Sequence, residues 1–339
     1  MNKIITLLLG VTLITSCIED YDLNIADNGG SRLVVEGAIN NKPGPYFVQL
    51  TKSRLDIGTT EGADYYIADA TVILSDDENN IDTLEYIDFD ETGYKIELSD
   101  FDTTTAMYNG YYLYKPVFDE YGNAIDTLFI SSDIYECNRR GFYATSDNFI
   151  GREGHTYYLK VIWENKVYEA TAYMKAVPDI EVFSYEMTVS EKDGQIYYVP
   201  IISFQEPQNV TNYYLIMQNK ESYYRRINGD TWQGKMTNWD LSIFSDVHME
   251  SDVENLNVSL GYNPRGIEYP MYSVGEQMYI SLNSLSLVEY NFYKALIDQF
   301  ENDGGAFKPA PASPPGNISN GALGLFRASA VSEASVIIQ

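Results

Sequence analysis

Short runs of alternating apolar and polar residues, separated by turn-forming residues, follow one another along most of the chain. The first run covers residues 32–39, and a second run at 46–51 follows the turn-forming segment NNKPGP. A period of two places successive side chains on opposite faces of a strand, and Asn, Gly and Pro mark chain reversals. This pair of runs therefore predicts a β-hairpin.

Short strands at regular spacing, with turn residues between them, predict a mainly β protein. For residues 31–176 the spacing predicts an immunoglobulin-like β-sandwich. Proline interrupts the pattern at residues 176–179, so residues 177–339 are expected to form a β-rich C-terminal domain with one packed α-helix. The remaining predicted strands are 70–74, 81–86, 94–98, 111–114, 127–130, 156–163, 167–173, 180–189, 195–204, 212–218, 258–262, 277–282, 321–326 and 332–338.

Helical periodicity appears once, at residues 286–301. Ser286 and Glu289 have the spacing of a capping box, in which each side chain binds the backbone N–H of the other residue. The glycines at 304–305 end the helix. An apolar stripe at helical spacing favours packing on the core, with binding of a partner as the alternative; its members are Tyr290, Tyr293, Leu296, Ile297 and Phe300.

The first residues of the chain indicate export and lipidation. Lys3 precedes an apolar run at 4–14, which is too short for a membrane-spanning helix but typical of a signal peptide. Small residues then precede Cys17, as in a bacterial lipobox. We expect residues 1–16 to be a signal peptide and 17–30 a lipidated acidic tether. An ordinary cleaved signal with a cysteine nearby is the alternative.

Composition narrows the classes of partner. Hydrophobic residues make up 45% of the chain, which is enough for a core, and 30 tyrosines favour half-buried strand faces. A net charge of −27 argues against nucleic acid, because phosphate binding requires basic patches. Once Cys17 is acylated only Cys137 remains, so an intrachain disulfide is excluded in the mature protein.

The residues that could perform chemistry are few, and we predict no enzyme activity, no cofactor and no metal. The chain has two histidines, His155 and His248, too few for the usual zinc sites. Ser245 and Asp246 lie close to His248, but no G-x-S-x-G turn accompanies them. Acidic segments at 76–78, 88–93 and 100–102 are expected to be solvated turns, with calcium binding as the alternative.

Aromatic residues provide the candidate surface for a ligand or partner. A polar stretch of the C-terminal domain combines tyrosines, tryptophans and arginine, the residue types that dominate protein interfaces and that stack on sugars. Packing of these rings into the protein's own core is the alternative. The candidate residues are Tyr223, Tyr224, Arg225, Trp232 and Trp239.

Several motifs together resemble a known family, the Bacteroidota outer-membrane lipoproteins grouped as domain of unknown function 4249. The motifs are the lipobox, LVVEG with NKPGPYFVQL, FIGREGHTYYLKVIW followed by VYEA and a proline boundary, the helix before a glycine stop, and the closing PPGNISNGALGLF. In this order they cover nearly the whole mature chain. Residues 103–137 depart from the pattern as a long insertion.

The resemblance implies a lipoprotein often encoded beside a SusC/SusD-like pair, that is, a TonB-dependent transporter barrel and its substrate-capturing lipoprotein. It implies no catalytic residues. Glu19, Asp20 and Asp22 resemble the export signal that directs such lipoproteins to the cell exterior, although an acidic tether is the plain alternative. We expect an outer-membrane, lipid-anchored accessory subunit for import of glycan or peptide. A free-standing glycan-binding protein and a surface hydrolase with paired carboxylates are the alternatives.

Overall fold

The computed structural model describes the chain in segments, and every structural statement below concerns these residues. Between residues 95 and 134, and in 219–225 and 231–237, the strands are described by their backbone. The described segments are 31–53, 65–87, 95–98, 101–102, 107–108, 111–118, 124–134, 141–146, 148–189, 194, 196–208, 210–225, 231–237, 242–247, 252–258, 272, 274–301 and 314–339.

The described residues form a mainly β protein with several sheets and one helix, as the alternating pattern predicts. The helix, α1, is Leu287–Glu301. The strands are β1 Leu33–Asn40, β2 Phe47–Lys52, β3 Thr71–Asp76, β4 Ile81–Tyr86, β5 Lys95–Leu98, β6 Phe101–Asp102, β7 Met107–Tyr108, β8 Tyr111–Phe118, β9 Ala124–Ile134, β10 Phe142–Ala144, β11 Thr156–Trp163, β12 Lys166–Tyr173, β13 Val182–Val189, β14 Ile196–Phe204, β15 Tyr213–Arg225, β16 Thr231–Thr237, β17 Ser242–Ser245, β18 Val253–Asn257, β19 Gln277–Leu285, β20 Leu323–Ser329 and β21 Val331–Ile337.

The first sheet has eight strands, in the order β12-β11-β3-β4-β10-β2-β1-β20. Neighbouring strands are antiparallel except β1 and β20, which run parallel from Val34 opposite Leu323 to Asn40 opposite Ser329. Strand β20 comes from the C-terminal part of the sequence, so this sheet combines strands that are far apart in the described chain. Its inner face is apolar and packs around Val35, Leu50 and Phe326.

Residues 317–320, which precede β20, connect the two outer strands of this sheet. The Asn317 side-chain amide donates to the carbonyl oxygen of Thr171 on β12 at 3.2 Å and to that of Phe326 on β20 at 2.7 Å. Its side-chain oxygen accepts from the Phe326 N–H at 2.9 Å. The Ser319 N–H donates to the Glu169 carbonyl at 2.8 Å. The sheet is thus closed on itself at this point.

The remaining strands form four smaller sheets. A five-stranded sheet has the order β16-β15-β19-β21, with β17 beside β15, and a three-stranded sheet has the order β13-β14-β18. Apolar side chains between these two sheets, such as Ile202, Phe204 and Leu282, form a second core. The insertion contributes most of the two other sheets, β5-β8-β9 and β6-β7.

Helix α1 begins with the predicted capping box. The Ser286 N–H donates to Glu289 Oε2 at 2.6 Å, and the Glu289 N–H donates to Ser286 Oγ at 3.3 Å. Along the predicted stripe Tyr290 and Tyr293 are half-buried, and the ring of Tyr290 lies 4.8 Å from that of Tyr213. The helix lies against the start of β15 and packs on β20.

One predicted strand is tested at a single residue. The alternating pattern predicts a strand at 258–262, and of these residues the structure describes Val258, which follows β18 in irregular backbone. The apolar side chain of Val258 is buried in the second core. Residues 259–262 lie outside the described segments.

Candidate functional site at a buried polar junction

The chain passes from the first sheet into the five-stranded sheet at Ala330, between β20 and β21. Polar groups converge here. The Ser284 hydroxyl donates to the Lys175 carbonyl at 2.5 Å and accepts from the Ala330 N–H at 2.9 Å. The Lys175 ammonium donates to the Thr211 carbonyl at 2.6 Å. We call this region the polar junction and define it by Lys175, Glu206, Asn212, Tyr214, Asp246 and Ser284.

Two carboxylates lie side by side in the polar junction. Glu206 follows β14 and Asp246 follows β17, and they are 5% and 6% exposed. Asn212, just before β15, donates its side-chain amide to Glu206 Oε1 and, at 3.2 Å, to Asp246 Oδ2. Its backbone N–H donates to Asp246 Oδ1 at 2.8 Å. The Tyr214 hydroxyl donates to Glu206 Oε1 at 2.9 Å. Strand ends thus bring four polar side chains to one buried point.

The electrostatics follow from burial. Burial raises the pKa of Glu206 to about 7; hydrogen bonds from Tyr214 and Asn212 oppose this, and contact with Asp246 adds to it. Burial also raises the pKa of Tyr214, helped by the charge of Glu206. The pKa of Lys175 is lowered by burial, while the charges of Asp246 and Glu206 act in the opposite direction. Near pH 7 Glu206 is therefore protonated in about half of the molecules.

This pair does not have the geometry of a glycosidase. Hydrolysis by two carboxyl groups requires a separation of about 5 to 9.5 Å, with the sugar between them. Glu206 and Asp246 instead accept from the same Asn212 side-chain amide and are almost fully buried. What this arrangement can do is exchange a proton and hold strands together.

Asp246, which lies close to Ser245 and His248 in the sequence, is one of the two carboxylates of this pair. The Asp246 carboxylate accepts a hydrogen bond from the Asn212 backbone N–H, and the Ser245 hydroxyl accepts from the Val247 N–H at 3.4 Å. His248 lies outside the described residues. The geometry therefore shows Asp246 in a structural contact.

On the helix side, Glu289 extends the junction. Its Oε1 accepts from the Ala328 N–H on β20 at 3.1 Å, so the capping residue also joins the helix to the first sheet. Burial raises its pKa, which hydrogen bonds from the Ser286 and Ala328 backbone oppose. The capping box was predictable from S-x-x-E spacing. Neither the contact with β20 nor the Glu206–Asp246 pair left a local signal in the sequence.

The acidic segment 76–78 is a structured turn. Asp76 accepts from the Glu78 and Asn80 backbone N–H groups at 3.0 and 2.9 Å. Asp77 Oδ1 lies 2.7 Å from His155 Nδ1, and the hydrogen bond with His155 lowers the pKa of Asp77. Within the described segments no group of three or more His, Cys, Asp or Glu side chains could hold a metal ion. Segment 88–93 and Asp100 lie outside them.

The predicted aromatic surface lies on one hairpin. Strands β15 and β16 pair so that Tyr224 is opposite Trp232, Tyr223 is opposite Gln233, and Arg225 is opposite Thr231. The backbone register thus places four of the five predicted residues on one hairpin, with Tyr224 and Trp232 directly opposite each other. The fifth, Trp239, lies outside the described residues.

An apolar surface that the sequence analysis missed lies at the end of the β13–β14 hairpin where the two strands are connected. Val189 and Ile196 occupy paired positions and are 61% and 55% exposed. Met187, two residues before Val189 and therefore on the same face, is 68% exposed. Grouped exposed apolar side chains are typical of interaction sites. We call Met187, Val189 and Ile196 the apolar hairpin surface.

The residues predicted for lipidation and export, Cys17, Glu19, Asp20 and Asp22, lie outside the described segments. No helix within those segments has the length and apolar character to cross a membrane.

Comparison with known proteins gives one family. The sequence model of a family described as domain of unknown function 4249 matches residues 18–335. No curated protein matches the chain.

Proposed function

Because the chain belongs to the family of domain of unknown function 4249, we propose that it is a lipid-anchored accessory subunit, without enzyme activity, of a SusC/SusD-like nutrient importer. Its partners are the TonB-dependent barrel and the SusD-like lipoprotein, and the cargo is a glycan or peptide. Acyl chains on Cys17 hold it in the outer membrane, and Glu19, Asp20 and Asp22 direct it to the cell exterior.

The observation on which the proposal rests is the apolar hairpin surface. Three large apolar side chains, each more than half exposed, share one face of a hairpin in a protein with a net charge of −27. Burying each of them against a partner would contribute about 1.5 to 3 kcal/mol. By contrast, the buried acids Glu206, Asp246 and Glu289 are engaged in contacts that hold the fold together. A binding role therefore fits the described residues better than catalysis.

The decisive experiment is purification of the native lipidated protein from outer membranes in mild detergent, followed by mass spectrometry. We expect a transporter barrel and a SusD-like protein in near-equal amounts. Met187→Asp combined with Val189→Asp should abolish this recovery. Ile81→Asp is the matched control, because Ile81 is 70% exposed on the first sheet, and should leave recovery unchanged. Recovery of the wild-type protein alone would overturn the proposal.

Lipidation has a separate test. Cys17→Ala should move the protein from the outer-membrane fraction to the soluble fraction and remove the lipid mass. A variant without lipid that still fractionates with the outer membrane would contradict the anchor. This outcome is independent of whether a transporter is recovered.

The hairpin of β15 and β16 favours a second candidate function, binding of glycans by a free-standing surface protein. Tyr224 on β15 and Trp232 on β16 are directly opposite each other, so two aromatic residues are neighbours across this hairpin. Calorimetric titration with oligosaccharides would detect binding, and Trp232→Ala and Trp239→Ala should abolish it. Binding that both variants retain would exclude this site.

We also propose that the first sheet is an immunoglobulin-like sandwich and that a domain boundary lies at 176–177. Three antiparallel hairpins with alternating buried residues, β1–β2, β3–β4 and β11–β12, support the sandwich. In this arrangement β20 is a C-terminal strand that completes the N-terminal domain. An angle of about 30° between two packed layers of strands, measured by crystallography, would support the sandwich, and a single closed barrel would contradict it.

A further inference from the structure

We propose that Glu206 and Asp246 form a proton-linked latch, in which one shared proton holds the connection between β14 and β15 against the end of β17. Loss of that proton places two negative charges side by side in a buried site and loosens the connection. The species that binds is a proton, and its binding or release regulates the geometry of the polar junction. The inference does not depend on the importer role.

The geometry assigns a defined environment to the pair. Glu206 belongs to the connection itself, and its backbone N–H donates to Asp252 Oδ1, just before β18, at 3.2 Å. The charged and titratable groups that face the pair come from three further elements: Tyr214 of β15, Asp252 before β18 and Lys175 after β12.

Four hydrogen bonds depend on this arrangement. Asn212 connects both carboxylates through its side chain and binds Asp246 through its backbone, and the Asp246 N–H returns a bond to the Asn212 carbonyl at 3.3 Å. The side-chain amide of Asn212 already donates to both carboxylates and to the Val210 carbonyl. Asn212 therefore has no spare donor with which to compensate for a lost contact with Asp246. Repulsion between the carboxylates therefore acts directly on the start of β15.

The sign of the effect follows from the pKa of Glu206, which is raised to about 7 in the folded protein from 4.5. A raised carboxyl pKa stabilises the closed state fully below about pH 4.5, and this stabilisation is lost as the pH rises through about 7. In this window opening becomes easier by up to about tenfold per pH unit. Above the window the effect levels off.

The latch also reaches the first sheet. Lys175 lies close enough to respond to both carboxylates, and its ammonium donates to Thr211 in the same connection. Its carbonyl is bound by Ser284. Loss of a proton from the carboxylate pair therefore changes the charge close to the contact between Lys175, which follows β12, and Ser284 of β19.

Hydrogen exchange with mass spectrometry on the mature full-length protein tests the latch. Between about pH 5 and about pH 7, after correction for intrinsic exchange, protection of the Asn212 and Asp246 amides should fall by about 40-fold in the wild type. Glu206→Gln cannot lose a proton and still offers a donor to Asp246, so its protection should not change with pH. Peptides covering β11 and β12 are the internal control and should be unaffected.

Two results would overturn the latch. One is protection in the wild type that is constant across this pH range; the other is a Glu206→Gln protein with the wild-type slope. If Glu206→Gln fails to fold, Asp246→Asn serves instead, because a single carboxylate beside an amide has no like charge to repel. Its slope should be smaller than that of the wild type, because the repulsion is removed while burial still raises the pKa of Glu206.

Discussion

Asn317 offers the sharpest test of how the first sheet is closed. Its side chain makes three hydrogen bonds, to the Thr171 carbonyl on β12 and to the N–H and carbonyl of Phe326 on β20. Asn317→Asp keeps the size of the side chain and its acceptor for the Phe326 N–H. It replaces the amide group, the donor of the other two bonds, by an oxygen that faces two carbonyl oxygens.

The expected loss can be worked from these contacts. Two hydrogen bonds at about 0.5 to 1.5 kcal/mol each are lost, and the backbone of a buried residue is left facing a negative charge. Phe326 is 1% exposed, so water has little access to its carbonyl. We expect the free energy of unfolding to fall by about 2 to 4 kcal/mol, a large part of the about 5 to 15 kcal/mol typical of a folded protein.

Urea unfolding followed by fluorescence measures this loss. Asn320→Asp is the matched control: it adds the same charge three residues away and removes one exposed hydrogen bond, to the Val167 carbonyl at 3.0 Å. It should cost no more than about 1 kcal/mol. If Asn317→Asp is no less stable than Asn320→Asp, the side chain does not close the sheet and the reasoning fails.

Two further predictions concern backbone strain and charge. Gly324 has φ +97°, and a Cβ there would lie 2.0 Å from the Val35 carbonyl oxygen, so Gly324→Ala should cost more than about 3 kcal/mol or prevent folding. Gly321→Ala, with φ +73° and open space, should cost only about 1 kcal/mol; equal melting temperatures would contradict this. The pKa of Asp77 is lowered by His155, so its stabilisation is present above its unfolded pKa and lost as the pH falls through the folded one. The melting-temperature difference between wild type and Asp77→Asn should therefore shrink below about pH 4, and a constant difference would refute the pair.

The hairpins were predictable because their pairing is local. Residues 156–163 and 167–173 alternate clearly, and the structure pairs β11 with β12 from Thr156–Tyr173 to Trp163–Lys166. The two turn residues, Glu164 and Asn165, have φ of 48° and 57°, the left-handed conformation of a tight hairpin turn. A short strand such as β10, of three residues, carries too few positions to show a period.

Contacts between segments that are far apart in the chain could not be predicted from a single sequence. Nothing in the residues of β1 and β20 specifies that they pair, because parallel neighbours share no turn and no composition signal. The polar junction is of the same kind. Glu206, Asn212 and Asp246 each look like ordinary polar residues at strand ends, and only the fold makes them buried partners.

The parallel contact of β1 with β20 has a consequence for the order in which the molecule acquires its structure. Arg32 and Gly321, which are bound to each other next to this contact, are 289 positions apart in the chain. Closing so long a loop costs entropy before any contact compensates for it, and folds dominated by such contacts assemble slowly. Strand β1 leaves the ribosome first yet must wait for nearly the last strand, and until then its outer edge is open to incorrect pairing. The topology of the first sheet therefore leaves it open to misfolding until nearly the whole chain has been made.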